Sequence, residues 1–220
     1  MNRSLAWRSL AGSYYWLEPY RDLSEGRKYF AEAIKPLEGK IDPYSVYIKG
    51  YAYRDWANKE AWANNFDEAA NKLQLAYEAI HSLPDWHTLK PEELRYIADF
   101  WRMLANQYWT NQPNEHDVEK ARGFIRRAIE VIQHLSDDNS NDIRGQIYQD
   151  WGYQEIRNGS RDEGVSLLRQ ADQYYRKLPA PYPSRDIRFR VFQQVVSQLA
   201  QEMGIRDVEI IGNVSREVEK

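Results

Sequence analysis

The sequence predicts an all-α protein, an α-solenoid of about four antiparallel helix pairs with a C-terminal capping helix. Three observations carry this expectation. The stretch Gly50 to Pro84 returns without a gap as Gly145 to Pro179. Apolar residues recur at helical spacing along the chain. The segments so marked are punctuated by Asp, Asn, Gly and Pro where helices start and stop. In the repeat, Gly50, Tyr53, Asp55, Trp56, Glu60, Asp67, Glu68, Leu73, Ala76, Leu83 and Pro84 recur as Gly145, Tyr148, Asp150, Trp151, Glu155, Asp162, Glu163, Leu168, Ala171, Leu178 and Pro179, 11 identities over 35 positions at a constant offset of 95. Ala57/Gly152 and Ala69/Gly164 add small-for-small exchanges at the same register.

The first unit spans about residues 4–39. Leu5, Ala6, Leu10, Ala11, Tyr14 and Leu17 mark a helix that Pro19 stops or kinks. Asp22 or Ser24 caps a second helix with Tyr29, Phe30, Ala33 and Ile34 on its apolar face, and Pro36 and Gly39 end it. The second unit, about 42–84, opens on Asp42-Pro43, with Asp as N-cap and Pro at the first helical position. Its first helix should reach about Ala63. Asn64-Asn65 turns the chain, and a second helix runs from Phe66 or Asp67 to Ser82. The third unit, about 90–135, should hold helices from Lys90-Pro91 to Trp109 and from Asp117 to Leu135, joined by a loop from Thr110 to His116. A polar run from Ser136 to Asp142 should separate it from the fourth unit, about 142–179. There the spacing predicts helices from Asp142 to Arg157 and from Arg161 to Leu178 around an Asn158-Gly159 turn. Pro179, Pro181 and Pro183 form a stiff connector. Ser184 is the expected N-cap of a capping helix over 184–203, marked by Ile187, Val191, Phe192, Val195, Val196 and Leu199. Residues 1–204 thus read as one repeat domain, and 205–220 as a frayed or partner-bound tail in which Val208, Ile210 and Ile211 could otherwise make an edge strand.

Composition narrows the function. Hydrophobic residues make up 42% and charged residues 29% of the 220, which supplies a core without a membrane span of ~18 apolar residues. Net charge is −3, so no global basic field attracts nucleic acid or anionic lipid. The absence of cysteine removes disulfides, thiolate catalysis and Cys-based metal sites. The first residues hold no apolar core of a signal peptide, so a cytoplasmic location is expected. Most of the 16 Tyr and 8 Trp, Tyr51, Trp62, Tyr96, Trp101, Tyr108 and Trp109 among them, should pack, with some of the excess lining a half-wet groove that suits their polar tips.

Paired helices with small residues at fixed places resemble the tetratricopeptide repeat (TPR). Its large-then-small pair in the first helix is carried by Trp56-Ala57, Leu104-Ala105 and Trp151-Gly152. Its early small residue in the second helix is carried by Ala69, Ala121 and Gly164. Its bulky residue followed by alanine is carried by Leu73/Ala76, Ile125/Ala128 and Leu168/Ala171, with Phe30/Ala33 fitting the first unit. Small side chains let helix axes approach, and large ones fill the facing groove. The small positions 57, 105 and 152 are more widely spaced than the family's period of about 34, so these helices or connectors are longer than consensus.

The resemblance implies that the first helix of each pair lines a concave face. Arg54/Asn58 and Arg102/Asn106 stand there at equivalent register, four residues apart and so on one helical face. This is similar to the family's carboxylate clamp, in which a basic residue and an asparagine hold a peptide's terminal carboxylate, with Arg in place of the usual Lys. Gln149 and Tyr153 occupy the corresponding places in the fourth unit. Two readings stay open for the arginines: groove ligands, or side chains that are solvated or paired with Asp55 and Asp99. Asp55-Trp56 and Asp150-Trp151 read as structural pairs. His81, His87, His116 and His134 lack the spacing of a zinc site, and Asp137 to Asp142 lacks the glycine and glutamate of a calcium loop. Arg122, Arg126 and Arg127 share their helix with Glu119 and Glu130 and read as a solvated face.

No nucleophile elbow, phosphate-cradling loop or dinucleotide fingerprint is present, so neither catalysis nor a cofactor or metal is expected. The expected function is a non-catalytic interaction module or adaptor that binds an extended peptide or a partner's tail in its concave groove. The alternatives are a bacterial TPR-like sensor of a small signal or signalling peptide, acting in trans or as a homo-oligomer, and a structural subunit of a larger complex. The partner is a protein or peptide, not nucleic acid or membrane.

Overall fold

In the computed structural model the described residues are 3–16, 22–83, 89–110 and 118–203. They form nine α-helices and one 3₁₀ turn, with no strand among them. By its contacts the chain divides into two compact units, 1–133 and 134–220.

The first unit holds α1 (Arg3–Trp16), α2 (Leu23–Ile34), a 3₁₀ turn at Lys35–Leu37, α3 (Pro43–Trp62), α4 (Phe66–His81), α5 (Pro91–Thr110) and α6 (Val118–Ile132). Consecutive helices pack as pairs, α1 on α2, α3 on α4 and α5 on α6. The first helices also touch in series, α3 lying against both α1 and α5. Local chemistry sets the boundaries. The Asp22 carboxylate accepts from the backbone N–H groups of Ser24 and Glu25 at 2.9 and 3.2 Å, and Asp42 accepts from Ser45 N–H at 2.9 Å ahead of Pro43. At the other end of α3, Asn64 takes a left-handed φ of 62°. Asn64 N–H then bonds Ala61 C=O at 3.0 Å and Asn65 N–H bonds Glu60 C=O at 2.9 Å, a Schellman closure that satisfies two end carbonyls. Helix α6 stops at Ile132, so Leu135, expected as its last apolar landmark, lies beyond it.

The core of this unit comprises Phe30, Leu73, Phe100, Leu104, Ile125 and Ile132, all fully buried. Ala57, Ala69, Ala105 and Ala121, the small positions of the repeat, are buried as well. Gly50 admits a close contact between helices. A Cβ there would stand 2.7 Å from Cε2 of Phe100, so glycine lets the α5 ring lie directly on the α3 backbone.

The second unit holds α7 (Asp138–Arg157), α8 (Arg161–Arg176) and α9 (Arg185–Met203). Helix α7 starts four residues before the expected Asp142. Asp137 is its N-cap, accepting from Ser140 N–H at 3.1 Å and from Ser140 Oγ–H at 2.6 Å. The polar run anticipated as a linker is therefore the first turn of a helix. Asp142, buried within it, accepts from Arg188 Nε at 2.7 Å and Nη2 at 3.2 Å, which ties α7 to α9. The α7–α8 turn repeats the Schellman closure through Gly159, φ 92°, and Ser160 N–H to Glu155 C=O at 2.8 Å. Asn64 and Gly159 stand 95 residues apart, so one offset governs the turn as well as the helices.

The proline connector is not extended. It folds through hydrogen-bonded turns, Tyr182 N–H to Pro179 C=O at 2.9 Å and Arg185 N–H to Tyr182 C=O at 3.1 Å. Tyr182 O–H reaches back to Asn139 at 3.0 Å and Asp142 at 3.2 Å. Helix α9 packs on α7 and α8 and buries Phe192, Val196 and Leu199 with Tyr175 and Leu178, while Ile187 and Val191 stay exposed. The tail 205–220, the 111–116 loop, His87 and His116 lie outside the described residues.

Candidate functional site

In the first unit, α1, α3 and α5 present a continuous run of tyrosines and ion pairs. Tyr44, Tyr47 and Tyr51 fall at i, i+3 and i+7 of α3, one helical stripe. Tyr96 of α5 meets two of them, 6.0 Å from Tyr44 and 5.1 Å from Tyr47 between ring centroids, and Tyr47 lies 5.7 Å from Tyr51. Tyr44 and Tyr96 are 43% and 40% exposed, so two adjoining rings present apolar surface to solvent. The Tyr47 phenol is pushed well above its ordinary range, chiefly by burial and then by the nearby Asp99 carboxylate and Tyr51. It stays protonated at neutral pH and keeps an O–H to donate.

At the α1 end of this stripe, two guanidinium groups lie against one ring. Arg8 Cζ is 4.3 Å and Arg54 Cζ 4.2 Å from the Tyr51 centroid, within cation–π range. Both pair with the same carboxylate: Arg54 Nη2 donates to Asp55 Oδ1, and Arg8 Nε stands 3.5 Å from Asp55 Oδ2. Arg54 Nε is buried with no hydrogen-bond acceptor. Lys59 is close enough to feel Asp55 and Arg54, and burial pulls its ammonium below the usual lysine range. On α5, Arg102 donates to Asp99 Oδ1 from Nε at 3.0 Å and Nη2 at 2.7 Å.

Arg54 and Arg102 thus pair with Asp55 and Asp99, the second of the two readings the sequence left open. Pairing leaves both side chains partly accessible on this face, Arg54 at 13% and Arg102 at 15%. Asn58 and Asn106 are half-buried one turn further along their helices. Gln149 and Tyr153 belong to the second unit and are engaged internally. Gln149 is buried and accepts from Tyr175 O–H at 3.0 Å. Tyr153 accepts from Arg157 Nη1 at 2.7 Å, a bond that raises the guanidinium's pKa.

Other expected features are structural. Trp56 stacks on Phe30 at 5.6 Å, and its indole N–H donates to Glu60 at 2.9 Å. Trp151 donates to Glu155 at 2.8 Å. His81 packs 4.2 Å from Tyr77, and no group of metal-ligating side chains gathers among the described residues. Arg122 and Arg127 pair with Glu119 and Glu130 along α6.

Sequence reasoning missed Arg8, Tyr44 and Tyr47 as members of the face, and missed the buried Glu60 and Glu155, while Tyr51 and Tyr96 stood among aromatics expected mostly to pack with some of the excess lining a groove. The glutamates carried a legible signal, Trp-x-x-x-Glu at i and i+4 in both copies of the repeat. Arg8 carried none, because its contact with α3 is set by packing rather than spacing. No protein-family model matches the chain. No curated protein matches it either. No helix among the described residues is long and apolar enough to cross a membrane.

Proposed function

We propose that the chain is a TPR-like, non-catalytic interaction module that binds an extended peptide segment of a partner on the face formed by α1, α3 and α5. The observation that supports this most is the series of tyrosines in which the exposed Tyr44 and Tyr96 continue into the partly buried Tyr47 and Tyr51, flanked by the partly buried Arg8, Arg54 and Arg102. Rings give flat apolar contact at low entropic cost, while phenol and guanidinium groups meet backbone carbonyls and side-chain oxygens. Three successive first helices in contact offer a surface longer than one helix, which suits an extended ligand.

The test is selection of a displayed peptide library on the immobilised full chain, wild type against the Arg54→Ala/Arg102→Ala variant. Peptides enriched on wild type and lost from a variant with an unchanged circular dichroism spectrum are the expected result. Equal enrichment on both proteins would move binding off this face.

A further inference from the structure

On the basis of that reading, we infer that the Arg8–Tyr51–Arg54 cluster is an oxyanion site, and that the bound peptide is acidic, with a side-chain carboxylate seated on the two arginines. The charges on this face do not balance. Arg102 is matched by Asp99, but Arg8 and Arg54 share the single carboxylate of Asp55. One positive charge is left over, and it is held in a partly desolvated place. The Arg54 side chain is 13% exposed and that of Arg8 23%.

The second observation is an unmet donor. Arg54 uses Nη2 on Asp55 while its Nε–H stays buried without an acceptor. A buried donor without an acceptor costs free energy, which Arg54 recovers if its guanidinium shifts to meet a ligand oxygen. Both guanidinium planes lie near Tyr51, which limits the rotamers they lose on binding. The neighbouring rings then define what accompanies the anion. Tyr47 leads from Tyr51 to the exposed Tyr96 and Tyr44, so an apolar residue a short distance along the peptide meets these rings. Arg54 acts here with Arg8 on the neighbouring α1, and Arg102 serves the face as a neutralised pair.

The experiment uses the full chain and follows arginine Nε–Hε signals by NMR during titration with sodium acetate and with inorganic phosphate. Fluorescence anisotropy is then measured with four labelled peptides of one Leu/Tyr-containing sequence. One is C-amidated with internal Glu, one has Gln in place of Glu, one is the Gln form with a free C-terminus, and one carries phosphoserine. Expected are shifts at Arg8 and Arg54 with either small anion, and at least roughly tenfold tighter binding of the amidated Glu peptide than of the Gln peptide. That preference should vanish in Arg8→Gln and Arg54→Gln and persist in Arg127→Gln, whose arginine pairs with Glu130 on α6. It should also weaken at roughly 0.5 M salt.

A phosphoserine or free C-terminus that outbinds the Glu peptide would keep the oxyanion site but overturn the side-chain carboxylate as its source. Equal binding of Glu and Gln peptides, with Arg8 and Arg54 signals unmoved by acetate and phosphate, would overturn the site and leave peptide binding on this face standing. Failure of every peptide and both anions would overturn both readings.

Discussion

Arg27 of α2 grips Glu60 of α3 with two hydrogen bonds of 2.7 Å, Nε to Oε1 and Nη2 to Oε2. Glu60 is fully buried and also accepts from Trp56 Nε1 and Asn65 Nδ2, both at 2.9 Å. A buried carboxylate is tolerated only when its lone pairs are met in this way. The same residue also closes the Schellman turn through its backbone carbonyl. One glutamate therefore joins the first hairpin to the second and shapes the turn of the second.

Arg27→Ala should destabilise the chain by about 2 kcal/mol, less than the roughly 3–5 of a fully broken buried pair. The reduction follows because Trp56 and Asn65 remain as donors and the Arg27 side chain is 42% exposed. Urea denaturation measures it, and a loss under about 0.5 kcal/mol would show the bidentate contact to be dispensable.

Close approach of α7 and α8 depends on Gly152 and Gly164. A Cβ on Gly152 would lie 2.8 Å from Gly164 C=O and 2.9 Å from Leu168 Cγ, and the first of these is backbone that cannot swing aside. Gly152→Ala should therefore cost about 1–3 kcal/mol despite its better helix propensity. Gly123, exposed in α6 with open space around it, provides the contrast: Gly123→Ala should stabilise by about 0.5–1 kcal/mol. Thermal melts of the two variants should move in opposite directions.

The N-cap of α3 gives a pH dependence. Hydrogen bonds from the Ser45 side chain and backbone hold the Asp42 carboxyl below its ordinary value of 3.8. A depressed folded-state pKa contributes stability above the unfolded value, lost as pH falls through the folded one. Asp42→Ala should cost about 1 kcal/mol at neutral pH, and its difference from wild type should shrink below about pH 4. A difference that stays constant from neutral pH down to about pH 2.5 would contradict this.

The sequence made the helical architecture legible because helix signals are local. Asp42-Pro43, Asn64 and Asn158-Gly159 each fix a boundary through a few neighbouring atoms, and the 95-residue offset copies the grammar from one hairpin to another. Asp137 is harder to read because an acidic, Asn-rich run resembles a linker in composition, although Asp137 with Ser140 three residues later is capping chemistry. Arg54 and Arg102 were legible as equivalent positions of two first helices through their shared register. Their pairing with Asp55 and Asp99 was visible only as one of two options. Arg8 and Tyr96 join the face through contacts between helices, which periodicity does not encode.

Tyr96→Ala and Tyr44→Ala separate binding from stability. Both rings are substantially exposed, so each substitution should change stability by no more than about 1 kcal/mol. Each should weaken a selected peptide by about tenfold or more, the loss expected of a ring that forms part of a binding platform. Unchanged affinity in both variants would remove the tyrosine stripe from the binding face.

Whether ligand binding occurs on the first helices of the first unit is decided by an NMR titration of the isotope-labelled full chain with a peptide selected from the library. Binding on this face shifts Tyr44, Tyr47, Tyr51, Arg54, Tyr96 and Arg102 on α3 and α5 and leaves α4 and α6 little changed. Shifts concentrated on α4 and α6 would contradict it.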